Sequence, residues 1–345
     1  MPSRSLLIAL LLVVTALTGG WTYYRESTVG DAMSEAAGAF LAGLDKSQQA
    51  KAVLPYADKQ RVDWHFIPKD WRKGLQIKEM TESQRKAAHK LLQTALSEAG
   101  YKKATQIMSL EKLLFALEGA NRRWPRDWEM YYFTVFGDPS GPTAWGLSVE
   151  GHHLSLNFVV EKGKVISTTP QVMAANPAVV QNRNDAGFEV GTRVLAQEEL
   201  LAFELVRSLN KEQQGVAIID ATAPKEVRAA GEAQPPQDPP VGIPAGRLTA
   251  DQKALLRKLI DEYARAMPDA VAQQRWEEIE ASGFDSVHFA WAGATEPGIG
   301  HYYRIQGKTF VIEFVNTQPD AAGNPANHIH CLWRDMRGDF ALRIE

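Results

Sequence analysis

Cysteine is almost missing from this chain: Cys331 is the only one in 345 residues, so no intrachain disulfide forms and stability must come from a packed core. An excess of charge of either sign is missing too. The 38 basic side chains stand against 41 acidic ones, a net charge of -3, which provides no general attraction to phosphate backbones and argues against nucleic acid as a partner. No dinucleotide glycine fingerprint, phosphate loop, Gly-x-Ser-x-Gly elbow or His-Glu-x-x-His helix occurs, so the chemistries those motifs announce cannot be read here. Long apolar runs are scarce. The one at Leu6 to Leu17 follows Arg4, has the length of a secretory signal, and is short for a span of about 20 residues. No clean Ala-x-Ala site follows it, and Trp21, Tyr23 and Tyr24 would suit an interfacial anchor. Residues 1–24 are therefore expected to be a signal peptide or a signal anchor. Export to the periplasm or the extracellular space follows, with membrane contact only through this segment if it is uncleaved. No cysteine near the run means no lipid-modified N-terminal cysteine.

What is present is an ordinary globular composition, 45% hydrophobic and 23% charged, in a length that suits two domains or one large α+β unit. Self-similarity decides between these. Leu44-Asp45-Lys46-Ser47-Gln48-Gln49 returns as Leu209-Asn210-Lys211-Glu212-Gln213-Gln214, and Thr81-Glu82-Ser83-Gln84 returns as Thr249-Ala250-Asp251-Gln252. The second pair has the capping-box pattern of a helix start. Tyr131 to Gly137 then matches Val287 to Gly293, and Gly151 to Phe158 matches Gly307 to Phe314. The order is preserved throughout. The expectation is an α+β fold of two diverged tandem copies, residues 31–195 and 196–345, each with helices followed by a small antiparallel sheet and packed about a pseudo-twofold axis. A Pro-rich loop, residues 221–247 with Pro224, Pro235, Pro236, Pro239, Pro240 and Pro244, is expected to be exposed and poorly packed.

Histidine is sparse, eight in all, and His152, His153, His328 and His330 fall in two blocks. Leu154, Leu156 and Phe158 mark a core face, which turns His153, Ser155 and Asn157 the other way. Phe310, Ile312 and Phe314 do the same for Thr309, Val311 and Glu313, so Asn157 and Glu313 are equivalent positions. His328 and His330, two apart, share a face, and both imidazoles can reach one ion. Imidazole with carboxylate suits zinc, iron, manganese or copper. The candidate ligands are His153, His328, His330 and Glu313, with Glu313 and His153 as candidate catalytic groups. The alternatives are a metal-free polar site and purely structural histidines. His65, His89 and His288 read as structural, and His301 is a reserve candidate. Arg122, Arg123 and Arg126 among Trp124, Trp128, Tyr131 and Tyr132 read as a charged turn with core-facing aromatics. The turn-rich segment Asn316 to Asn327 is a candidate recognition loop, as are Thr168-Thr169-Pro170 and Ala174 to Ala178.

Trp145 through Phe158, Thr169-Pro170, Ala175-Asn176-Pro177, Tyr302 to Gly307, Glu313, Asn327-His328-Ile329-His330 and Trp333-Arg334-Asp335 together resemble the DUF 3500 family, found largely in secreted or cell-surface proteins. The resemblance covers nearly all of the chain after the signal. It implies that the Gly-His-His and His-x-His blocks belong to one ancestral unit, and it brings no reaction. Family members tend to run on past the Asp-Phe segment, so loss of a terminal cap on the sheet is expected here. Three readings remain. One is a metal-assisted hydrolase or other small-molecule enzyme using the His/Glu site. Another is a non-catalytic receptor for a small ligand, with Asn157, Trp145, Tyr302, Tyr303 and Arg304 as walls. The third is a structural duplicated module.

Overall fold

The computed structural model describes residues 29–344; the expected signal segment lies outside the described residues. Among the described residues no helix is long and apolar enough to cross a membrane. The helices are α1 (Val29–Ala42), α2 (Lys46–Ala52), α3 (Glu82–Ala95), α4 (Glu98–Glu118), α5 (Ala196–Ser208), α6 (Lys211–Ala217), α7 (Ala250–Ala264) and α8 (Asp269–Ser282). Their starts explain the repeated sequence blocks. Asp45, Thr81, Asn210 and Thr249 cap α2, α3, α6 and α7, and Gln48, Gln84, Gln213 and Gln252 complete four capping boxes.

The same glutamines then bond to each other. Gln48 Nε2 donates to Gln84 Oε1 at 3.0 Å while Gln84 Nε2 donates back to Gln48 Oε1 at 2.8 Å. Gln213 and Gln252 repeat the exchange at 2.8 and 3.0 Å. Their second amide hydrogens go to the carbonyls of Glu79 and Gly43 in one half and of Arg247 and Ser208 in the other. Each pair of helix starts is thereby locked by amides that leave no donor unused, as burial demands.

The strands are β1 (Val53–Leu54), β2 (Leu75–Gln76), β3 (Tyr132–Phe136), β4 (Trp145–Gly151), β5 (Leu154–Glu161), β6 (Lys164–Ser167), β7 (Gln171–Ala175), β8 (Ile218–Asp220), β9 (Ile243–Pro244), β10 (His288–Gly293), β11 (His301–Gln306), β12 (Phe310–Asn316) and β13 (Ile329–Asp335). They form one mixed sheet in the order β1-β3-β4-β5-β7-β13-β12-β11-β10-β8, with β2 on β3, β6 on β5 and β9 on β10. Two small separate sheets were expected. The continuous sheet arises because β7 and β13 pair antiparallel from Ile329–Ala175 to Trp333–Gln171, which removes two edges that would otherwise expose unpaired backbone. The registers on either side correspond: β1 runs parallel to β3 as β8 does to β10, and Ser148–Asn157 and Arg304–Glu313 are matching cross-strand pairs.

One face of the sheet packs on the helices. Leu154, Leu156, Phe158, Phe310, Ile312 and Phe314 belong to that core, as their parity requires. The other face is covered without α-helices, by the chain between β1 and β2 and by the Pro-rich segment. Trp64, Phe66, Val172, Val227, Tyr302 and Leu332 form the second apolar cluster there. Trp64 Nε1 donates to the Glu232 carbonyl at 2.8 Å, and Arg334 donates to the carbonyls of Ala229 and Glu232 at 3.1 and 2.7 Å. The expectation of a poorly packed loop is corrected accordingly. A Pro-rich chain has few N–H groups to satisfy, and its carbonyls are used as acceptors by side chains standing on the sheet. The Asp339–Phe340 segment adds to this cover. Asp339 accepts from Arg334 Nε at 2.6 Å, Phe340 joins the second cluster, and Arg61 Nη1 donates to the Phe340 carbonyl at 2.9 Å.

Candidate metal centre

Gly151 pairs with Leu154 across β4 and β5, so His152 and His153 are the whole of a two-residue turn. Gly151 is required: a Cβ there would lie 2.2 Å from the Tyr131 ring. Tyr131 donates its hydroxyl to the His152 carbonyl at 2.8 Å. His153 adopts φ 64°, a left-handed conformation that costs a non-glycine residue on the order of 1 kcal/mol. It is held there by its N–H donating to the Phe66 carbonyl at 2.8 Å and its carbonyl accepting from Ala174 N at 2.9 Å. Across β7, the chain enters β13 with His328, whose N–H donates to Asn316 Oδ1 at 2.9 Å, and continues to His330, which sits between Val315 and Ala174. All three histidines stand on the face free of α-helices.

Their ring nitrogens meet. His328 Nε2 lies 2.9 Å from His153 Nε2 and 3.0 Å from His330 Nε2, and one nitrogen from each of the three rings falls within 4.8 Å of the others. His153 and His330 are buried and His328 is half-buried. An imidazole nitrogen carries a proton or a lone pair, and one proton serves one well-aligned hydrogen bond. His328 Nε2 has two such neighbours, so hydrogen bonding among the three rings leaves one contact unsatisfied. A cation accepting three lone pairs removes the conflict. Burial, and then the neighbouring histidines, hold His153 and His328 well below the usual imidazole range, so at neutral pH both are in the ligating form.

Supporting groups surround the cluster. His330 Nδ1 contacts Glu226 Oε1 at 2.8 Å, which leaves its Nε2 facing the other rings, the carboxylate–histidine arrangement that fixes a ligand's tautomer. Asn176 Nδ2 makes a longer contact, 3.4 Å, to His328 Nδ1. The Phe66 ring meets His330 edge-on at 4.8 Å. His152 stacks on His153 at 3.7 Å and turns toward Glu111 on α4, with Arg126 Nη1 3.2 Å from its Nδ1. Asn176 lies in the Ala174 to Ala178 segment read as a candidate recognition loop; Glu226 and Glu111 were not singled out by sequence reasoning. Glu111 had a signal, an acid on the same helical stripe as Ile107, Met108 and Leu114; Glu226, in the Pro-rich segment, had none.

Glu313 does not join the three histidines. His330 is opposite Val315, which puts Glu313 two residues further along the strand, opposite Leu332. There its Oε1 accepts from Arg228 Nε at 2.8 Å and from the Tyr302 hydroxyl. Burial, followed by Glu313, raises the Tyr302 hydroxyl above its usual range. Of the expected ligand walls, Tyr302 and Arg304 belong to this neighbouring cluster. Asn157 donates to the Pro170 carbonyl at 3.0 Å. Trp145 and Tyr303 belong to the helix-side core, donating to Ser34 Oγ at 3.0 Å and to the Glu198 carbonyl at 2.8 Å; their parity excludes them from the histidine face. His301 is fully buried with Nε2 3.0 Å from Glu199 Oε1, away from the cluster. His65, His89 and His288 contact Phe66 N, the Tyr101 hydroxyl and the Ser286 carbonyl. Arg126 binds Glu118, and the cations of Arg122 and Arg123 lie over Phe115 and Trp124, as a charged turn would have it. Of the aromatics expected to face the core, Tyr131 and Tyr132 are buried, but Trp124 is half-buried and Trp128 is exposed under the Lys112 ammonium.

Among known families, a model described as "Protein of unknown function (DUF3500)" matches residues 26–342. The chain belongs to that family. No curated protein and no solved structure matches it.

Proposed function

We propose that His153, His328 and His330 are the protein ligands of a mononuclear metal centre in an exported, metal-assisted hydrolase acting on a small molecule. The observation that carries this is the convergence of three imidazole nitrogens, two of them held neutral, from segments far apart in sequence. With Glu313 outside the set, three nitrogens and no carboxylate favour zinc or copper over manganese and leave iron less suited. A three-histidine zinc site keeps a position for water, whose proton it makes labile near neutral pH. His328, the half-buried member, marks the side from which a substrate arrives. Under this reading His153 is a ligand, and the Glu111–His152 pair stacked against it is the candidate proton carrier. Glu313 takes a supporting part, holding the Pro-rich segment through Arg228.

The same proposal includes a tandem duplication, residues 31–195 and 196–345 about a pseudo-twofold axis near the Gln171–Trp333 pair. Paired glutamines at the helix starts, parallel first strands and matching registers support it. The duplication supplied the frame, and divergence put histidine at one turn only. Export rests on the apolar Leu6–Leu17 segment.

The test is metal analysis of protein purified without a histidine tag, with turnover measured against a panel of ester, amide and phosphoester substrates. Near-stoichiometric metal, turnover abolished by a chelator and restored by zinc, and loss of both in His328→Ala are expected. Retention of metal and turnover by His328→Ala, with the fold intact, would overturn the assignment.

A further inference from the structure

A polar cavity of about 50 Å³ opens between α8 and the sheet, lined by Thr168, Thr309, Arg275, Trp333, Asp335 and Arg337 among others. Arg275 is its unusual member. The side chain is 8% exposed, and Nη2 donates to Thr168 Oγ1 at 2.6 Å and to Gln171 Oε1 at 3.0 Å. Its guanidinium carbon lies 4.3 Å from the centre of the Trp333 ring. Nη1 is buried with no hydrogen-bond partner. Among the described residues no carboxylate forms an ion pair with it: Asp335 and Glu278, which also line the cavity, are neutralised by Arg337 at 2.8 and 2.7 Å. Burial brings Arg275 down to about 9 against the pull of Asp335 and Glu278, so it remains charged at neutral pH.

A buried cation with two idle hydrogens and no paired anion is costly unless something else supplies the acceptor. The guanidinium lies over the Trp333 indole and is tied by two side-chain acceptors on one nitrogen, while the other nitrogen has no acceptor of its own. We propose that this cavity binds a small carboxylate, with Arg275 as counter-charge and Thr168 and Thr309 as polar wall. The volume admits a carboxylate group and little more. The site stands on residues separate from the histidines and does not depend on the metal reading.

Calorimetric titration of the protein with acetate, acetamide and inorganic phosphate tests it. Saturable acetate binding is expected, with Kd at or below about 10 mM, and acetamide, its neutral isostere, at least roughly tenfold weaker because only the anion gains from the buried charge. Arg275→Gln should weaken acetate by tenfold or more. Thr168→Val, which keeps the charge and releases one of its anchors, should weaken it about threefold, and it decides the matter if Arg275→Gln does not fold. Equal binding of acetate and acetamide, acetate binding unchanged in the folded variants, or phosphate bound more tightly than acetate would each overturn the proposal.

Discussion

The β4–β5 turn and the β11–β12 turn hold corresponding places in the sheet, yet their side chains differ in kind. The first is His152-His153, set beside the chain that runs into β13 with His328 and His330. The second is Lys308-Thr309, set beside the chain that runs into β7 with Thr168 and Thr169. At the first, an acid on α4, Glu111, reaches in to His152; at the second, a base on α8, Arg275, reaches in to Thr168. One end collects lone pairs and an acid, which suits a cation. The other collects a cation and hydroxyls, which suits an anion. The backbone frame is shared, and what each end can bind is decided by a handful of side chains grafted on it.

The largest expected effect breaks the comparison at its histidine end. His330→Ala should weaken zinc by at least about 100-fold, equivalent to roughly 2.7 kcal/mol, measured by competition with a chromogenic chelator, while Thr309→Ala at the opposite turn leaves zinc unchanged. His153→Gly sharpens the point. Glycine accepts the left-handed backbone freely, so the variant should fold with stability within about 1 kcal/mol of the parent and still lose zinc to the same degree. A His153→Gly protein that keeps its zinc would mean that the turn histidine is not a ligand.

Next in size is a test of how alike the two halves are. Gln84 and Gln252 are nearly buried, and each holds a cap N–H, a carbonyl and a partner glutamine. Gln84→Leu and Gln252→Leu should each cost about 2 kcal/mol, since each strands buried polar groups. Denaturant titration measures both. Costs that differ by more than about 1.5 kcal/mol would mean that the matching bonds carry unequal loads.

Much of this frame was legible. The capping boxes at Thr81 and Thr249, the parity that turns Asn157 and Glu313 away from the helix-side core, and the spacing that puts His328 and His330 on one face are local consequences of helix and strand period. What failed depended on distances along and across strands. Glu313 has the right parity and the wrong register, which a period of two cannot reveal. Trp145 and Tyr303 were chosen as aromatic walls by chemical type, although their parity assigns them to the helix side. Glu226 contacts His330 from a segment whose composition suggested an exposed linker. Nothing in proline content says that a chain will lie against a sheet whose arginine and tryptophan need carbonyl acceptors.

Glu226 gives a smaller, more selective effect. Glu226→Gln keeps an acceptor for His330 Nδ1 and removes the charge that strengthens the ligand, so zinc affinity should fall about tenfold with little change in the apoprotein. A loss as large as that of His330→Ala would make Glu226 a ligand itself; no loss would mean that the contact orients nothing.

The smallest effect is in the pH dependence of the metal-free protein, and its sign follows from burial. His153 and His328 are depressed in the folded state, by desolvation first and by neighbouring histidines second, while in the unfolded chain they titrate near about 6.5. Between those limits the unfolded chain binds more protons than the folded one, so stability rises with pH. Their contribution is complete above about pH 6.5 and is lost as pH falls through the folded values. His152 is depressed too, by burial and Arg126 against the pull of Glu111, and adds to the same slope. Denaturant unfolding of the chelator-treated protein between about pH 8 and about pH 5, where an ordinary imidazole changes charge, should show a decline on the acidic side. His328→Asn should flatten it, because one depressed group is gone and His153 loses a charged neighbour on protonation. Thr309→Ala, at the turn with no histidine, should leave the slope as it was. An equal slope in all three proteins would show that the three rings are not coupled through their protons, and the close approach of their nitrogens would then have no electrostatic consequence.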